Sequence, residues 1–268
     1  MRPALFLPIF GELADPRRVA DVAAAGEAAG WHGVFLWDHM VYREPVTHVG
    51  DPWIALAAAA VATESVLLGP LVTPLARRRP HKLARETAAL DILCGGRFVL
   101  GVGLGGRGDA TAETDPGDEI AATGEETSPR VRARMLDEAL DVVTALWSGE
   151  VVHHHHGEHY VIDGLQFLPT PVQRPRPPIW VASRPGYQAP LRRARRYDGW
   201  FPVNLQSPDE LAAIGDMPAG FDVIVDGPDG ADPAPWAAAG ATWWLTGFSP
   251  YTVTFDEAMA VAKAGPPC

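Results

Sequence analysis

Short runs of aliphatic and β-branched residues alternate along the chain with longer, Ala-rich runs whose apolar positions recur at helical spacing. That alternation predicts parallel strands joined by crossover helices. Residues 4–8 predict a first strand and 16–29 its helix, with Asp15 as N-cap, Pro16 at the first helical position and Gly30 just past the end. The same order recurs three times: strand 33–37 with helix 52–63 behind Asp51, strand 66–72 with helix 80–93 stopped by Gly95 and Gly96, and strand 97–103 with helix 129–147 behind Ser128. In the last of these helices Leu136, Leu140, Val143 and Trp147 form one buried stripe. Residues 151–167 break the rhythm, since Val151-Val152 and Tyr160-Val161-Ile162 flank a polar turn at Gly157 and predict an inserted β-hairpin. Beyond the Pro-rich connector 169–178 come strand 179–182 with helix 188–196, strand 200–203 with a short helix 208–214, strand 221–225 with helix 233–239, and strand 242–246 with helix 255–264.

Eight such units in a chain of 268 residues match the size of a (β/α)₈ TIM barrel, typically about 250 residues, and no composition shift marks an internal boundary. The expectation is an α/β, single-domain TIM barrel with an inserted β-hairpin. An open doubly wound sheet has fewer strands and usually a glycine-rich turn after the first one. Here that turn reads Leu7-Pro8-Ile9-Phe10-Gly11.

Charge narrows the partners. Lys plus Arg number 22 against 33 Asp plus Glu, a net charge of −11, which argues against nucleic acid and anionic membrane as binding surfaces. The longest apolar stretch, 53–62, is about half the ~20 residues of a spanning helix, so a soluble, cytoplasmic protein is expected. Cys94 and Cys268 are the two cysteines, too few for a disulfide framework. Cys94 reads as a small buried residue at a helix end and Cys268 as a terminal bystander.

In a TIM barrel the site lies at the C-terminal ends of the strands, so the residues just past each strand are the candidates. Among them Asp38 and His39 stand out, because a carboxylate beside an imidazole can set the ring's tautomer and raise its pKa. The bland alternative is a helix-capping Asp with a surface His. The run 101–106, Gly-Val-Gly-Leu-Gly-Gly, offers unhindered backbone to a ring or phosphate, or simply makes room for bulky neighbours. Basic residues gather at Arg77-Arg78-Arg79, at Arg174 and Arg176, and from Arg184 to Arg196, where a phosphorylated cofactor competes with a solvated helix face as explanation. His153 to His156 looks like a metal tract, but no carboxylate or cysteine cluster stands beside it in the predicted hairpin, so no metal site is expected.

Several segments together resemble the bacterial luciferase-like family of flavin-dependent monooxygenases and oxidoreductases. They are Ala29-Gly30-Trp31-His32-Gly33-Val34-Phe35-Leu36-Trp37-Asp38-His39, Leu68-Gly69-Pro70-Leu71-Val72-Thr73-Pro74, Leu83-Ala84-Arg85-Glu86-Thr87, Gly95-Gly96-Arg97-Phe98-Val99-Leu100-Gly101-Val102-Gly103, Leu146-Trp147-Ser148-Gly149 and Pro177-Pro178-Ile179-Trp180-Val181. They run in the family's order over nearly the whole chain. The resemblance implies a flavin across the barrel mouth, with Val72 and Thr73 lining the ring face, Gly103, Leu104 and Gly105 flanking it, and Ala182, Ser183 and Arg184 holding the phosphate. Asp38 and His39 match the family's acid-base pair. Members often keep a non-proline cis peptide at the third strand end, so one is expected within Leu71-Val72-Thr73.

The family carries either FMN or the deazaflavin coenzyme F420. Reduced FMN activates oxygen, whereas the deazaflavin is mainly a hydride carrier. The reading adopted is a monooxygenase using reduced FMN and O2 on a small organic substrate, with reduced flavin from an NAD(P)H-flavin reductase and a homodimer as a further possibility. Alternatives are a deazaflavin-dependent hydride-transfer oxidoreductase, which the arginines after strands three and five would suit, and a flavin-binding protein without turnover. The short helix 208–214 and the acidic, Gly-rich loop 107–127 imply a shallow substrate pocket.

Overall fold

The computed structural model describes residues 1–105, 119–186 and 188–267. In chain order the strands are β1 (Arg2–Leu7), β2 (Gly33–Leu36), β3 (Leu67–Pro70), β4 (Thr73–Pro74), β5 (Leu100–Gly103), β6 (Val152–His156), β7 (Val161–Leu165), β8 (Ile179–Ser183), β9 (Gly199–Pro202), β10 (Asp222–Pro228) and β11 (Trp243–Gly247). The helices are α1 (Pro16–Ala28), α2 (Pro52–Ala62), α3 (Pro80–Leu93), α4 (Glu119–Ala122), α5 (Pro129–Trp147), α6 (Gln188–Ala194), α7 (Pro208–Ala212), α8 (Ala234–Ala238) and α9 (Phe255–Ala264). The large sheet has the order β3-β2-β1-β11-β10-β9-β8-β5-β4, and its pairings are parallel.

β3 and β4 stand at opposite ends of that order, yet only Leu71 and Val72 separate them in the chain. They are two halves of one stave, so nine strands make an eight-stave barrel that closes on itself. The closing seam is completed by Leu68, whose N–H donates to the Arg97 carbonyl at 2.9 Å and whose carbonyl accepts from Val99 at 2.9 Å. The Leu71–Val72 peptide is cis, as expected from the resemblance. The hairpin of β6 and β7 is antiparallel and lies outside the barrel sheet, between α5 and β8.

Strand alternation sorts the apolar residues into two cores. On β10, Val223 and Val225 pack toward the helices, whereas Ile224 joins the lumen with Phe6, Phe35, Trp180, Phe201, Trp243 and Leu245. Trp180 meets Phe35 at 5.0 Å and Trp243 at 5.2 Å between ring centroids. Such rings need slots in the opposing wall. A Cβ on Gly199 would fall 2.4 Å from Trp180 Cδ1, so glycine is required where the indole crosses β9. At the N-terminal ends of the strands the Arg2 guanidinium lies 4.3 Å from the Trp243 ring centroid and pairs with Asp222, closing that end.

The outer helices are fixed by the caps that the sequence predicts. Asp15 accepts from the N–H of Arg17 at 3.0 Å, Asp51 from Trp53 at 2.9 Å and Ile54 at 3.0 Å, and Ser128 from Val131 at 3.5 Å. Each such cap is worth about 1 kcal/mol. Arg97 donates to the Ala60 and Thr63 carbonyls at the end of α2 and to the Cys94 carbonyl at the end of α3, satisfying orphan acceptors of both helices. Trp31 Nε1 donates to the Ala262 carbonyl at 3.0 Å and ties α9 to the chain entering β2. Buried Asp91 accepts from the N–H groups of Val172 and Gln173, pinning the proline-rich connector to α3.

Helices α6, α7 and α8 are shorter than the sequence pattern predicts, and α4 is an addition to it. Cys94 is buried at the C-cap of α3, where burial pushes its thiol pKa up, and Cys268 lies outside the described residues. Among the described residues no helix is long and apolar enough to cross a membrane.

Candidate active site

The charged part of the mouth is assembled by loops after β2 and β4 and by α4. Asp38, buried just past β2, accepts from Arg77 Nη2 at 2.5 Å and from Arg78 Nη2 at 2.6 Å. Arg78 Nε also donates to the hydroxyl of buried Thr73 at 2.7 Å. Arg77 donates its other terminal nitrogen to Glu119 Oε1 at 3.0 Å and reaches the Asp38 carbonyl at 3.2 Å. Glu119, at the start of α4, accepts the Met40 N–H on Oε2 at 2.9 Å. His39 Nδ1 lies 3.4 Å from Glu119 Oε1.

This arrangement corrects one expectation. Asp38 was expected to orient His39, but neighbours on an extended segment point opposite ways. Asp38 turns to the arginines and Glu119 supplies the carboxylate facing the imidazole. With its proton on Nδ1, His39 donates to Glu119 and leaves Nε2 as an acceptor. Burial alone would raise the Glu119 pKa; the hydrogen bond and charge of His39, the Met40 N–H and the charge of Arg77 outweigh it and hold the carboxyl below its usual range. His39 lines a cavity of about 340 Å³ together with Asp38, Met40, residues 49–52, Arg77 and Arg78. Tyr42, Trp37 and Phe10 surround the imidazole, with centroids 5.2, 5.9 and 6.1 Å away.

The remaining expected residues divide. Val72 and Ala182 pack on the lumen cluster, and Gly103 lies between them: a Cβ there would be 2.7 Å from Val72 Cγ2 and 3.7 Å from Ala182 Cβ. Together these three make a low wall at the mouth. Leu104 faces the other way, into the outer core. Gly105 holds φ +72°, and its carbonyl accepts from buried Arg132 at 3.1 Å. The Ser183 hydroxyl accepts from Trp200 Nε1 at 2.7 Å. Arg184 is exposed and makes no ion pair with the described residues.

Much of the wider basic clusters is engaged within the protein. Arg77 and Arg78 are neutralised by Asp38 and Glu119, Arg176 pairs with Asp198, Arg193 with Asp137 and Arg196 with Asp141. Arg174 donates to the Thr170 hydroxyl and the Pro171 and Gln173 carbonyls. These contacts commit Arg77, Arg78, Arg174, Arg176, Arg193 and Arg196 to the protein itself. Across the mouth from β4, Asp226 shares the strand face of Ile224 at the rim of the lumen, where desolvation by the lumen walls pushes its carboxyl up to about 6 although the residue keeps an exposed edge.

A planar ring fits this mouth. Gly103 and Ala182 present little more than backbone and a methyl beside Val72, and the buried Trp37 Nε1 has no hydrogen-bond partner among the described residues. Arg184, exposed and without an ion pair among the described residues, stands just past the end of β8.

The model of a family described as luciferase-like monooxygenase matches residues 2–220. The chain belongs to that family. It is 35% identical over 185 residues to an F420-dependent hydroxymycolic acid dehydrogenase of Mycobacterium tuberculosis, covering 68% of this chain and 48% of that protein. It is 27% identical over 164 residues to the oxygenase component of the flavin-dependent trigonelline monooxygenase of Acinetobacter baylyi, covering 61% of this chain and 42% of that protein. The chain thus spans about half the length of the curated relatives it matches. Among solved structures, an F420-dependent secondary alcohol dehydrogenase in complex with an F420-acetone adduct superposes with a TM-score of 0.78 at 17% identity, over 98% of this chain and 97% of that one. That likeness supports the luciferase-like barrel. The relatives named are oxidoreductases of both kinds, a dehydrogenase and a monooxygenase component.

Glu119 is the residue that sequence reasoning missed. A signal existed in charge arithmetic: Arg77 and Arg78 at one mouth call for a second acid besides Asp38, and the acidic loop 107–127 is where one could come from.

Proposed function

We propose that this barrel is that of a deazaflavin-dependent oxidoreductase interconverting a small alcohol and its carbonyl compound, with His39 as general acid-base. The observation that carries it is the placement of His39: backed by Glu119 and open to the 340 Å³ cavity that Asp38, Arg77 and Arg78 also line. When bound, the deazaflavin supplies a two-electron hydride carrier. His39 Nε2 takes the hydroxyl proton during oxidation of the alcohol and returns it to the carbonyl oxygen in reduction. Glu119 stabilises the imidazolium formed, while Arg77 bridges Glu119 and Asp38 and Arg78 adds a second pair to Asp38, fixing the carboxylates in place. Val72, Gly103 and Ala182 would seat the ring, with Arg184 on the phosphate.

The relatives named F420-dependent favour this reading over the FMN-using monooxygenase expected from sequence, which the trigonelline enzyme keeps as a second reading. A parallel fluorescence titration with F420 and FMN separates them. Tenfold tighter binding of F420, about 1.4 kcal/mol, with reduction of F420 by a panel of secondary alcohols under argon, is expected. Tenfold preference for FMN and substrate-dependent oxygen uptake with reduced FMN would overturn it.

A further inference from the structure

The histidine tract on the outer hairpin takes no part in the mouth. We infer that the outward face of the β6–β7 hairpin is a site for a divalent transition metal, held by His154, His156 and Asp163. Residues two apart on a strand share a face, so His154 and His156 stand side by side while His153 and His155 turn to the other side. Asp163 lies directly opposite His154 in the antiparallel register. A donor atom from each of the three lies within 4.8 Å of the others, and His154 Nδ1 is 3.2 Å from Asp163 Oδ1. Metal–ligand bonds of about 2.0–2.2 Å at tetrahedral angles put donors about 3.4 Å apart, so rotamer adjustments on exposed side chains close the site. The sequence hides this because the completing carboxylate is adjacent across the strands, not along the chain.

The neighbouring histidines sharpen the assignment. His155 Nε2 faces Glu138 Oε1 of α5 at 3.2 Å, and that carboxylate also accepts the N–H groups of His159 and Tyr160. The hairpin is therefore anchored through one face, leaving the His154–His156 face to ligand. Two imidazoles and one carboxylate suit zinc, copper or nickel and not magnesium or calcium, which take oxygen donors. The three residues are exposed, so water fills the remaining positions and the metal is exchangeable.

The test is isothermal titration of the full chain, prepared without an affinity tag, with Zn2+ at about pH 7.5 and about pH 5.5, on either side of the imidazole pKa. One ion per chain is expected at the higher pH, with binding lost at the lower. His154→Ala or His156→Ala should weaken it at least ~tenfold, Asp163→Asn by less, and His153→Ala should leave it unchanged. Bound Cu2+ should show two nitrogen ligands by electron paramagnetic resonance. Circular dichroism melts check that these surface variants stay folded. Absence of binding at the higher pH, equal weakening by His153→Ala, or full binding in the double variant of His154 and His156 would overturn the assignment.

Discussion

The two halves of the barrel solve the same packing task with different amounts of helix. Behind the first four staves stand α1, α2, α3 and α5, of 13, 11, 14 and 19 residues, three of them with side-chain caps. Behind the next three stand α6, α7 and α8, of only 7, 5 and 5 residues. The difference is mirrored in the site. Asp38, His39, Arg77, Arg78 and Glu119 all come from the first half, as do Val72 and Gly103 of the wall, whereas the second gives Ala182, Val203 and Asp226 to the mouth. Opposed charges taken out of water hold their geometry only on deeply packed supports. A wall of small and apolar groups tolerates thinner backing. The buried charges are thus anchored where the chain is thickest, while the thinly backed staves add Ala182, Val203 and Asp226 to the mouth.

The largest test of that contrast is Arg77→Met. It leaves Asp38 and Glu119 short of a buried partner and should cost about 3–5 kcal/mol in urea unfolding. Arg196→Ala, which loses exposed pairs to Asp137 and Asp141 of α5 and a contact with the Tyr197 ring, should cost within about 1 kcal/mol. Equal losses would erase the distinction. Next is His39→Ala, expected to lower turnover by ~10²-fold or more while cofactor affinity stays nearly constant, since a general acid-base acts mainly on the transition state. A parallel fall in binding, read by fluorescence titration, would make His39 an anchor instead. On the thin side, Arg184→Ala should weaken a phosphorylated flavin by ~1.5–3 kcal/mol yet barely change riboflavin binding. Equal weakening of both would remove the phosphate assignment.

The smallest effect is a pH slope. Asp226 titrates near 6 when folded against an ordinary 3.8, so the folded state binds more protons between those values and stability from this group falls as pH rises through that window. Glu27 has the opposite sign. Burial would raise its pKa, but hydrogen bonds from Ser65, Glu64 and Val66 lower it to about 2, so its stabilisation is lost as pH falls from 4.5 toward 2. Melting curves of Asp226→Asn should lack the decline between about pH 4 and pH 6. An unchanged slope would show that the mouth does not disfavour the Asp226 carboxylate.

Legibility followed the same division. Eight staves and the caps at Asp15, Asp51 and Ser128 could be read because 3.6- and 2-residue periods and capping chemistry are local. Asp38 and His39 were legible as strand-end residues, but their partners were not. Glu119 sits on a four-residue helix with too few positions to show a period. Asp163 meets His154 only through strand register, and the neutralised arginines pair with carboxylates 22 to 56 residues away in sequence. Leu104 was misplaced by one step of alternation, since Gly103 faces the lumen and its neighbour must face out.

The Arg2–Trp243–Asp222 closure has a kinetic meaning. With Trp180 and Trp243 filling the lumen above it, the described residues shut the N-terminal end of the strands and leave the opposite mouth open. Under the proposed function, a coenzyme and a substrate entering there would follow an order in which the deeper one arrives first and departs last, and initial-rate patterns and product inhibition would report it.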